Sequence, residues 1–446
     1  MSAWQDLVTA GLIGTERAAV PAVPIPGSPG RAGAQDAPVP AAPAPADPAA
    51  LLLDRAALLT AARRGGRRPG RAEPLAPAEP ETVPAVRQAA RRRLARMLGG
   101  EHPDLLAEWL GAVAGRGRLV PAQALPALLD QARRSSPADP GLRRLVAAAG
   151  GSRARWLAGL NPEWAFVLSY APAGEQAWRL GDTGQRRGYL SALRARDPGA
   201  AGDLVAESWD AAGPDERVMF LRALAAGLSL ADEPRLETAL DDRNARVRQA
   251  AADALAALPG SALAGRMAAR AADCLRLSRD SRGTRLVVSP PAGGDAAMRR
   301  DGITPGHGAG PARPADRGHL LLEVIARTPL RTWTDGFGMT PAGILDVPAD
   351  GWSPALAAGW SRAAVAQGDQ RWMAALVRWI LAGGLPSVAA AAEVLHPLVR
   401  RVDPEPALTG ADTSLLALTL PAVREAIDVL RFRYQMLKEL DDDGAG

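Results

Sequence analysis

One apolar stripe in the middle of the sequence constrains the fold more than any other feature. The stripe consists of Val247, Ala250, Ala251, Ala254, Leu255 and Leu258. Apolar residues at i, i+3, i+4 and i+7 give a helix one apolar face and one polar face. Asp242 or Asn244 can cap the start of this helix, and Pro259-Gly260 ends it. The pattern therefore predicts an amphipathic helix over residues 245–258.

The turn and the helix together closely resemble the second helix of a HEAT repeat. By that resemblance, Asp241 in the turn and Arg248 after Val247 tie neighbouring repeats together, while Val247 and Leu255 belong to the apolar stripe. A weaker copy lies about 30 residues upstream, where the turn at residues 213–217 precedes a second stripe. One good copy and one weak copy indicate stacked helix pairs; an irregular helical bundle is the alternative.

The composition agrees with a helical fold. Hydrophobic residues make up 47% of the chain, but aromatic residues only 4%. Most of the apolar residues are Ala, Leu and Val, and Ala and Leu are strong helix formers. The sequence therefore predicts an all-α protein, either a HEAT-like α-solenoid or an irregular helical-repeat array, with a small non-helical insertion.

The chain divides into four regions by sequence. Residues 1–82 combine short helices with Pro/Ala-rich linkers, and residues 83–280 form the HEAT-like region. The last helix of that region is predicted to span residues 261–277. Residues 281–318 are a loop insertion with a short strand at 285–289 that can form a small hairpin. Residues 319–446 are a second helical region, rich in tryptophan.

Several kinds of chemistry lack their residues in this chain. A single cysteine, Cys274, excludes an intramolecular disulfide and a multi-cysteine zinc site. The only lysine, Lys438, lies far from any glycine-rich loop, so a P-loop is excluded. The four histidines are scattered, and no Gly-x-Ser-x-Gly sequence is present. The glycine-rich run at residues 306–310 follows no strand. We therefore expect no metal, no cofactor and a non-enzymatic function.

Charge and hydropathy indicate where the protein acts. The formal net charge is +5, which is modest for 446 residues, and the arginine excess is also typical of a GC-rich coding sequence. The first ten residues do not look like a secretory signal. No apolar run approaches the ~20 residues needed to cross a bilayer. A soluble, cytoplasmic protein without a membrane partner is the expectation.

Two sets of side chains are candidates for binding. The first set is aromatic and comprises Trp156, Trp164, Trp372 and Trp379. Core packing is the ordinary role for tryptophans at helical spacing, but exposed tryptophans often anchor protein interfaces. The second set is Arg91 and Arg92, within a basic segment that runs from residue 55 to residue 96. Such a segment is either a solvated face or a contact to a nucleic-acid backbone.

Short segments spread over nearly the whole chain provide a further signal. They are residues 7–17, 156–158, 161–164, 300–302, 329–333 and 433–437. Together they resemble an uncharacterised bacterial family whose genes commonly neighbour those for a SWIM zinc-finger protein, a MoxR-type AAA ATPase and a von Willebrand A-domain protein. The resemblance implies an adaptor role beside the ATPase and the von Willebrand A-domain protein.

Two functions follow from these signals. The first is a protein-binding scaffold or adaptor, because stacked helix pairs form long grooves and no catalytic constellation is present. The alternative is a nucleic-acid-binding protein that resembles HEAT-like DNA glycosylases. In that case Asp210, beside Trp209, is the first candidate residue. A mixed-charge groove favours the first function, and a basic groove with exposed tryptophans favours the second.

Overall fold

The computed structural model describes residues 3–21, 47–65, 75–135, 141–170, 175–281, 283–303, 314–385, 387–409 and 420–442. The chain divides into two compact units, Met1–Pro77 and Ala78–Gly446. The boundaries after residues 82, 280 and 318 stay sequence predictions. The glycine-rich run at 306–310, with His307, lies outside the described residues.

The first unit contains two helices, α1 (Ala3–Ile13) and α2 (Pro48–Gly65), which pack against each other. Asp47 caps α2, since its carboxylate accepts a hydrogen bond from the Ala49 amide at 2.9 Å. Leu7, Ala10 and Leu59 are buried. A single helix pair buries only part of its apolar surface, and Leu12 is accordingly 84% exposed.

The second unit begins with α3 (Gln88–Leu98), α4 (Leu106–Gly115), α5 (Leu125–Arg134) and α6 (Gly141–Leu160), with a long 3-10 helix at Pro162–Tyr170. Helix α6 kinks at Gly151, where φ is +65°. The Glu81 carboxylate accepts hydrogen bonds there from the amides of Ser152 and Arg153 and so caps the second half of the helix.

The repeat region follows as α7 (Glu175–Leu180), α8 (Thr183–Arg196), α9 (Pro198–Ser208), α10 (Pro214–Leu224), α11 (Glu233–Ala239), α12 (Ala245–Ala256) and α13 (Ala262–Cys274). Helix α10 packs against both α8 and α12, its counterparts in the preceding and following helix pairs. This alternate packing is what stacked helix pairs require. Part of the predicted stripe lies in the core, since Val247, Ala251 and Leu255 are fully buried, whereas Ala250 is half-buried.

The predicted insertion is a β-hairpin followed by a short helix. Strand β1 (Leu275–Asp280) pairs antiparallel with β2 (Gly283–Val288), with Leu277 opposite Leu286. The hairpin begins earlier than the sequence predicted, because α13 ends at Cys274 rather than at residue 277. Leu275 and Leu286 are both buried, so strand alternation rather than helical periodicity places these leucines. Helix α14 (Ala296–Arg300) follows.

The tryptophan-rich region contains α15 (Pro314–Arg327), α16 (Arg331–Phe337), α17 (Pro341–Leu345), α18 (Ser353–Gln367), α19 (Gln370–Leu381), α20 (Val388–Leu398), α21 (Pro404–Leu408) and α22 (Pro421–Asp442). Helix α15 packs on α13 and α18, and α18 packs on α20. The last helix, α22, packs against α20 and α21 and also against α3 and α4. The two ends of the second unit therefore meet. The predicted all-α fold with a small insertion is confirmed.

Candidate functional site

Ion pairs at a spacing of about 30 residues join successive helix pairs of the repeat region. Arg186 binds Glu216 at 2.6 Å, and Arg235 binds Asp203. Further along the chain, Arg266 on α13 binds Glu237 on α11 at 3.0 Å. The separations are 30, 32 and 29 residues. This spacing matches the period of the two sequence copies, so the charged side chains repeat along with the apolar ones.

The link between the two sequence copies uses a different aspartate from the one that the resemblance indicated. Asp242, not Asp241, binds the preceding copy, through Arg217 at 2.7 Å. Asp241 instead binds Arg300 at 2.6 Å, after the hairpin. Arg248 donates to the carbonyl oxygens of Asp242 and Arg243 and so closes its own turn.

A groove lies between α10 and α12 and has a volume of about 570 Å³. Its apolar lining consists of Val218, Met219, Leu221, Ala225, Leu228, Ala250, Ala254 and Ala257. The small side chains of Ala250 and Ala254 on α12, and of Ala257 just after it, leave room for a second backbone to approach this side of the groove. The volume lies within the range of ligand-binding clefts. We call this surface the α10–α12 groove.

Charged side chains from three helices surround the α10–α12 groove. They are Arg187 on α8, Asp215 and Arg222 on α10, and Arg246 and Asp253 on α12. Both carboxylates have partners within the structure. Asp215 binds Arg246 at 2.7 Å, while Asp253 accepts hydrogen bonds from Gln249 and Arg327.

Arg187 and Arg222 differ from the other charged groups of this rim. Neither makes a hydrogen bond or ion pair with any residue that the structure describes. The α10–α12 groove therefore has an apolar floor, a rim of both signs and two cations without a counter-charge.

A second cavity of about 490 Å³ lies between α3 and α22, where the two ends of the second unit meet. Its walls are mainly charged, and Arg93 with Phe432 forms part of them. Arg93 is almost fully buried, binds Glu439 at 2.6 Å and stacks over the Phe432 ring at 4.5 Å. These contacts serve the helix packing, so we consider the α10–α12 groove the better candidate for binding.

The tryptophans, all of which the structure describes, occupy core and half-buried positions, and none is exposed. Trp372 is 1% exposed and stacks with Trp360 at a centroid distance of 5.5 Å. Trp372 is therefore a core residue, the ordinary role that its helical spacing indicated, and not the partner-binding anchor offered as a candidate from sequence. Trp379 lies half-buried against the backbone of Gly384, where any side chain would collide with the indole ring.

Two further tryptophan candidates, Trp156 and Trp164, are half-buried near the start of the second unit. The Trp164 indole NH donates to the Asp130 carboxylate at 3.0 Å, which fixes the ring against α5. Neither residue lines the α10–α12 groove. The four tryptophan candidates thus do not come together on one surface.

The candidates for nucleic-acid binding lie apart from one another. Arg91 and Arg92 are exposed on α3, where the Arg91 guanidinium donates to the Val86 carbonyl oxygen. Asp210 is exposed in the turn after α9. Its neighbour Trp209 lies half-buried beneath the guanidinium of Arg217, 5.3 Å from the ring centroid. One face of that ring is therefore covered.

The Arg300-Asp301-Gly302 segment is a structural junction. Asp301 is 1% exposed and binds Arg266 and Arg270 at 2.8 and 2.6 Å. Gly302 has a φ of +76°, and a Cβ there would lie 2.6 Å from the Ala252 Cβ. Only glycine fits this position without a shift of α12. The sequence singles out this segment but does not reveal its role, because the ion-pair partners of Asp301 lie more than 30 residues away.

The described residues contain neither a metal-binding cluster nor an exposed thiol. Within the described residues, no cluster of three or more His, Cys, Asp or Glu side chains could hold a metal ion. Cys274 is buried, and burial, with a contribution from the charge of Asp273, raises the pKa of its thiol to about 11. No helix in the described part of the chain is both long and apolar enough to span a membrane.

The stacked helix pairs and the α10–α12 groove define a helical-repeat protein with a groove on its repeat region. The chain belongs to a family of unknown function, DUF5691, whose sequence model matches residues 6–406. That match confirms the predicted membership of an uncharacterised family. No curated protein and no solved structure matches the chain.

Proposed function

We propose that this protein is a non-enzymatic scaffold that binds a protein partner in the α10–α12 groove. The observation that carries the proposal is the combination of an apolar floor with a rim of both charge signs. Protein interfaces pair an apolar centre with a polar rim in this way. The proposal includes a cytoplasmic location, which cell fractionation tests.

The same combination argues against nucleic acid as the ligand of this groove. A nucleic-acid surface needs a run of basic residues that neutralises phosphates, and stacking on single strands needs exposed aromatic rings. The rim contains Asp215 and Asp253 among its arginines, and none of the eleven tryptophans lines it. Nucleic-acid binding by another surface, including Arg91 and Arg92, stays an alternative.

The sequence resemblance provides the first partners to test. It associates the family with a MoxR-type AAA ATPase and a von Willebrand A-domain protein. An adaptor binds other proteins without catalysing a reaction on them. An apolar groove with a charged rim, such as the α10–α12 groove, suits such binding. We therefore include these two proteins as the named candidates of the proposal.

Site-specific photo-crosslinking in living cells tests the proposal. Lysine-directed reagents suit this chain poorly, because Lys438 is its only lysine. A photoreactive residue at Ala225, which is exposed and lines the groove, is expected to crosslink one predominant protein. The same residue at Arg155, exposed on α6, is the control and is expected to give no such product. If both positions crosslinked the same proteins, the proposal that a partner binds in the groove would be contradicted.

A further inference from the structure

We infer that the occupant of the α10–α12 groove is an acidic amphipathic helix of the partner protein. The inference rests on the proposed function and adds the chemistry of the partner. It depends on two independent properties of the groove, its shape and its uncompensated charge.

The shape suits one helix. The groove is bordered by α10 and α12, which pack side by side, and α10 with 11 residues is about 16 Å long. Between them lie Val218, Leu228 and Ala250, all half-buried rather than covered. An amphipathic helix binds such a surface with apolar residues at i, i+3 or i+4, and i+7, over about two turns. The alanines in and directly after α12 allow the backbone of the bound helix to come close.

The charges on the rim of the groove favour a bound helix with negative charge. Formal charges on the rim are three arginines and two aspartates, but the aspartates already have cationic or amide partners. Arg187 and Arg222 lie on the neighbouring helices α8 and α10 and have no partner among the described residues. A helix with Glu or Asp beside its apolar stripe would give both guanidinium groups a counter-charge. A basic helix would add like charges to them.

Fluorescence anisotropy with designed peptides tests this inference on the full-length chain. The probe is a fluorescein-labelled helical peptide of about 14 residues, roughly four turns, with Leu on one face and Glu on both flanks. The comparison peptide carries Lys in place of every Glu. We expect the Glu peptide to bind at least about tenfold more tightly than the Lys peptide. Its binding should also weaken as salt is added.

Charge reversal in the protein locates the binding. The double variant Arg187→Glu/Arg222→Glu is expected to reduce the affinity for the Glu peptide at least about tenfold. Both side chains lack partners among the described residues, so circular dichroism should show an unchanged helix content. Arg155→Glu is the matched control and should bind like the original chain. Failure of the Glu peptide to bind, equal binding of both peptides, or an unaffected double variant would overturn the inference.

The crosslinking experiment distinguishes failure of the acidic-helix inference from failure of the scaffold proposal. If the residue at Ala225 crosslinks one protein through a basic or extended segment, the scaffold proposal holds and the acidic helix is wrong. If the crosslinked segment is an acidic amphipathic helix, both hold. If no protein is crosslinked, the scaffold proposal itself fails.

Discussion

Arg433 on α22 and Glu108 on α4 form a bidentate ion pair, although 325 positions separate them in the sequence. The guanidinium–carboxylate contacts measure 2.7, 2.8 and 3.0 Å. The same guanidinium donates to the carbonyl oxygens of Val399 and Val402, after α20. One buried side chain therefore joins helix α22 to the start of the second unit and to the turn after α20.

Replacement of Arg433 should destabilise the fold. In Arg433→Met the two carbonyl oxygens lose their donor, and the Glu108 carboxylate loses its counter-charge. Loss of one partner of a buried ion pair costs about 3–5 kcal/mol. We expect a lower midpoint of urea unfolding, measured by tryptophan fluorescence. Arg155→Met, at an exposed position without described partners, should leave the midpoint unchanged; equal midpoints for both variants would refute the structural role of Arg433.

The buried pair Arg194–Asp232 should make stability depend on pH. Burial raises the pKa of Asp232, but the hydrogen bonds and charge of Arg194, at 2.7 and 2.9 Å, and the hydrogen bonds from Ser229 together lower it further than burial raises it. The folded-state pKa therefore lies below the unfolded value of about 3.9. The resulting stability is present above that pH and is lost as the pH falls through the folded-state pKa.

In Arg194→Met, burial acts on Asp232 without the compensating guanidinium. The pKa of the carboxyl is then higher than in the original chain, so less of the stability linked to its ionisation remains near neutral pH. The free-energy difference between the original chain and this variant should be largest at pH 7 and shrink towards about pH 4. Urea unfolding at several pH values measures it. A difference independent of pH would show that Asp232 is not the group responsible.

Gly302 should tolerate no side chain. Its positive φ and the 2.6 Å approach to Ala252 both oppose a Cβ, so Gly302→Ala should lower the free energy of unfolding by about 1–3 kcal/mol. Gly336, in helix α16, has open space around it and is the matched control. Gly336→Ala should stabilise by up to about 1 kcal/mol. Thermal unfolding measures the stability of both variants. An unchanged stability of Gly302→Ala would contradict the close packing of Gly302 against α12.

The thiol of Cys274 should be inert in the folded protein. It is 4% exposed, and its pKa of about 11 leaves almost no thiolate at pH 8. Ellman's reagent should therefore react only after urea is added. Rapid reaction in native buffer would show that the end of α13 opens readily.

The sequence predicted features that depend on local pattern. The stripe from Val247 to Leu258 identified α12, and the approximate period of 30 residues matches the spacing of the ion pairs. The sequence could not show that Asp242, rather than Asp241, forms the ion pair with Arg217. Which of two adjacent residues in a turn reaches a partner depends on the geometry of the turn. The helical spacing of Trp372 indicated core packing, but it could not show that this ring packs against Trp360 on α18.

The α10–α12 groove itself could not be predicted. Its lining residues come from three helices, and alanines such as Ala250 and Ala254 look alike in sequence whether they face a core or a groove. The free charge on Arg187 and Arg222 is also a tertiary property, since many other arginines of this chain have acidic partners far along the sequence. Sequence gives the number of charges, and packing decides which of them stay uncompensated.

Quantitative mass spectrometry of proteins that co-purify with the tagged full-length chain tests the central claim most directly. The comparison is between the original chain, Ala250→Trp, which fills the α10–α12 groove, and Arg155→Glu as control. We expect one partner in near-equal amount with the original chain and with Arg155→Glu, and its loss with Ala250→Trp. Equal recovery of every protein from all three, or recovery of nucleic acid without a protein partner, would contradict a scaffold that binds through this groove.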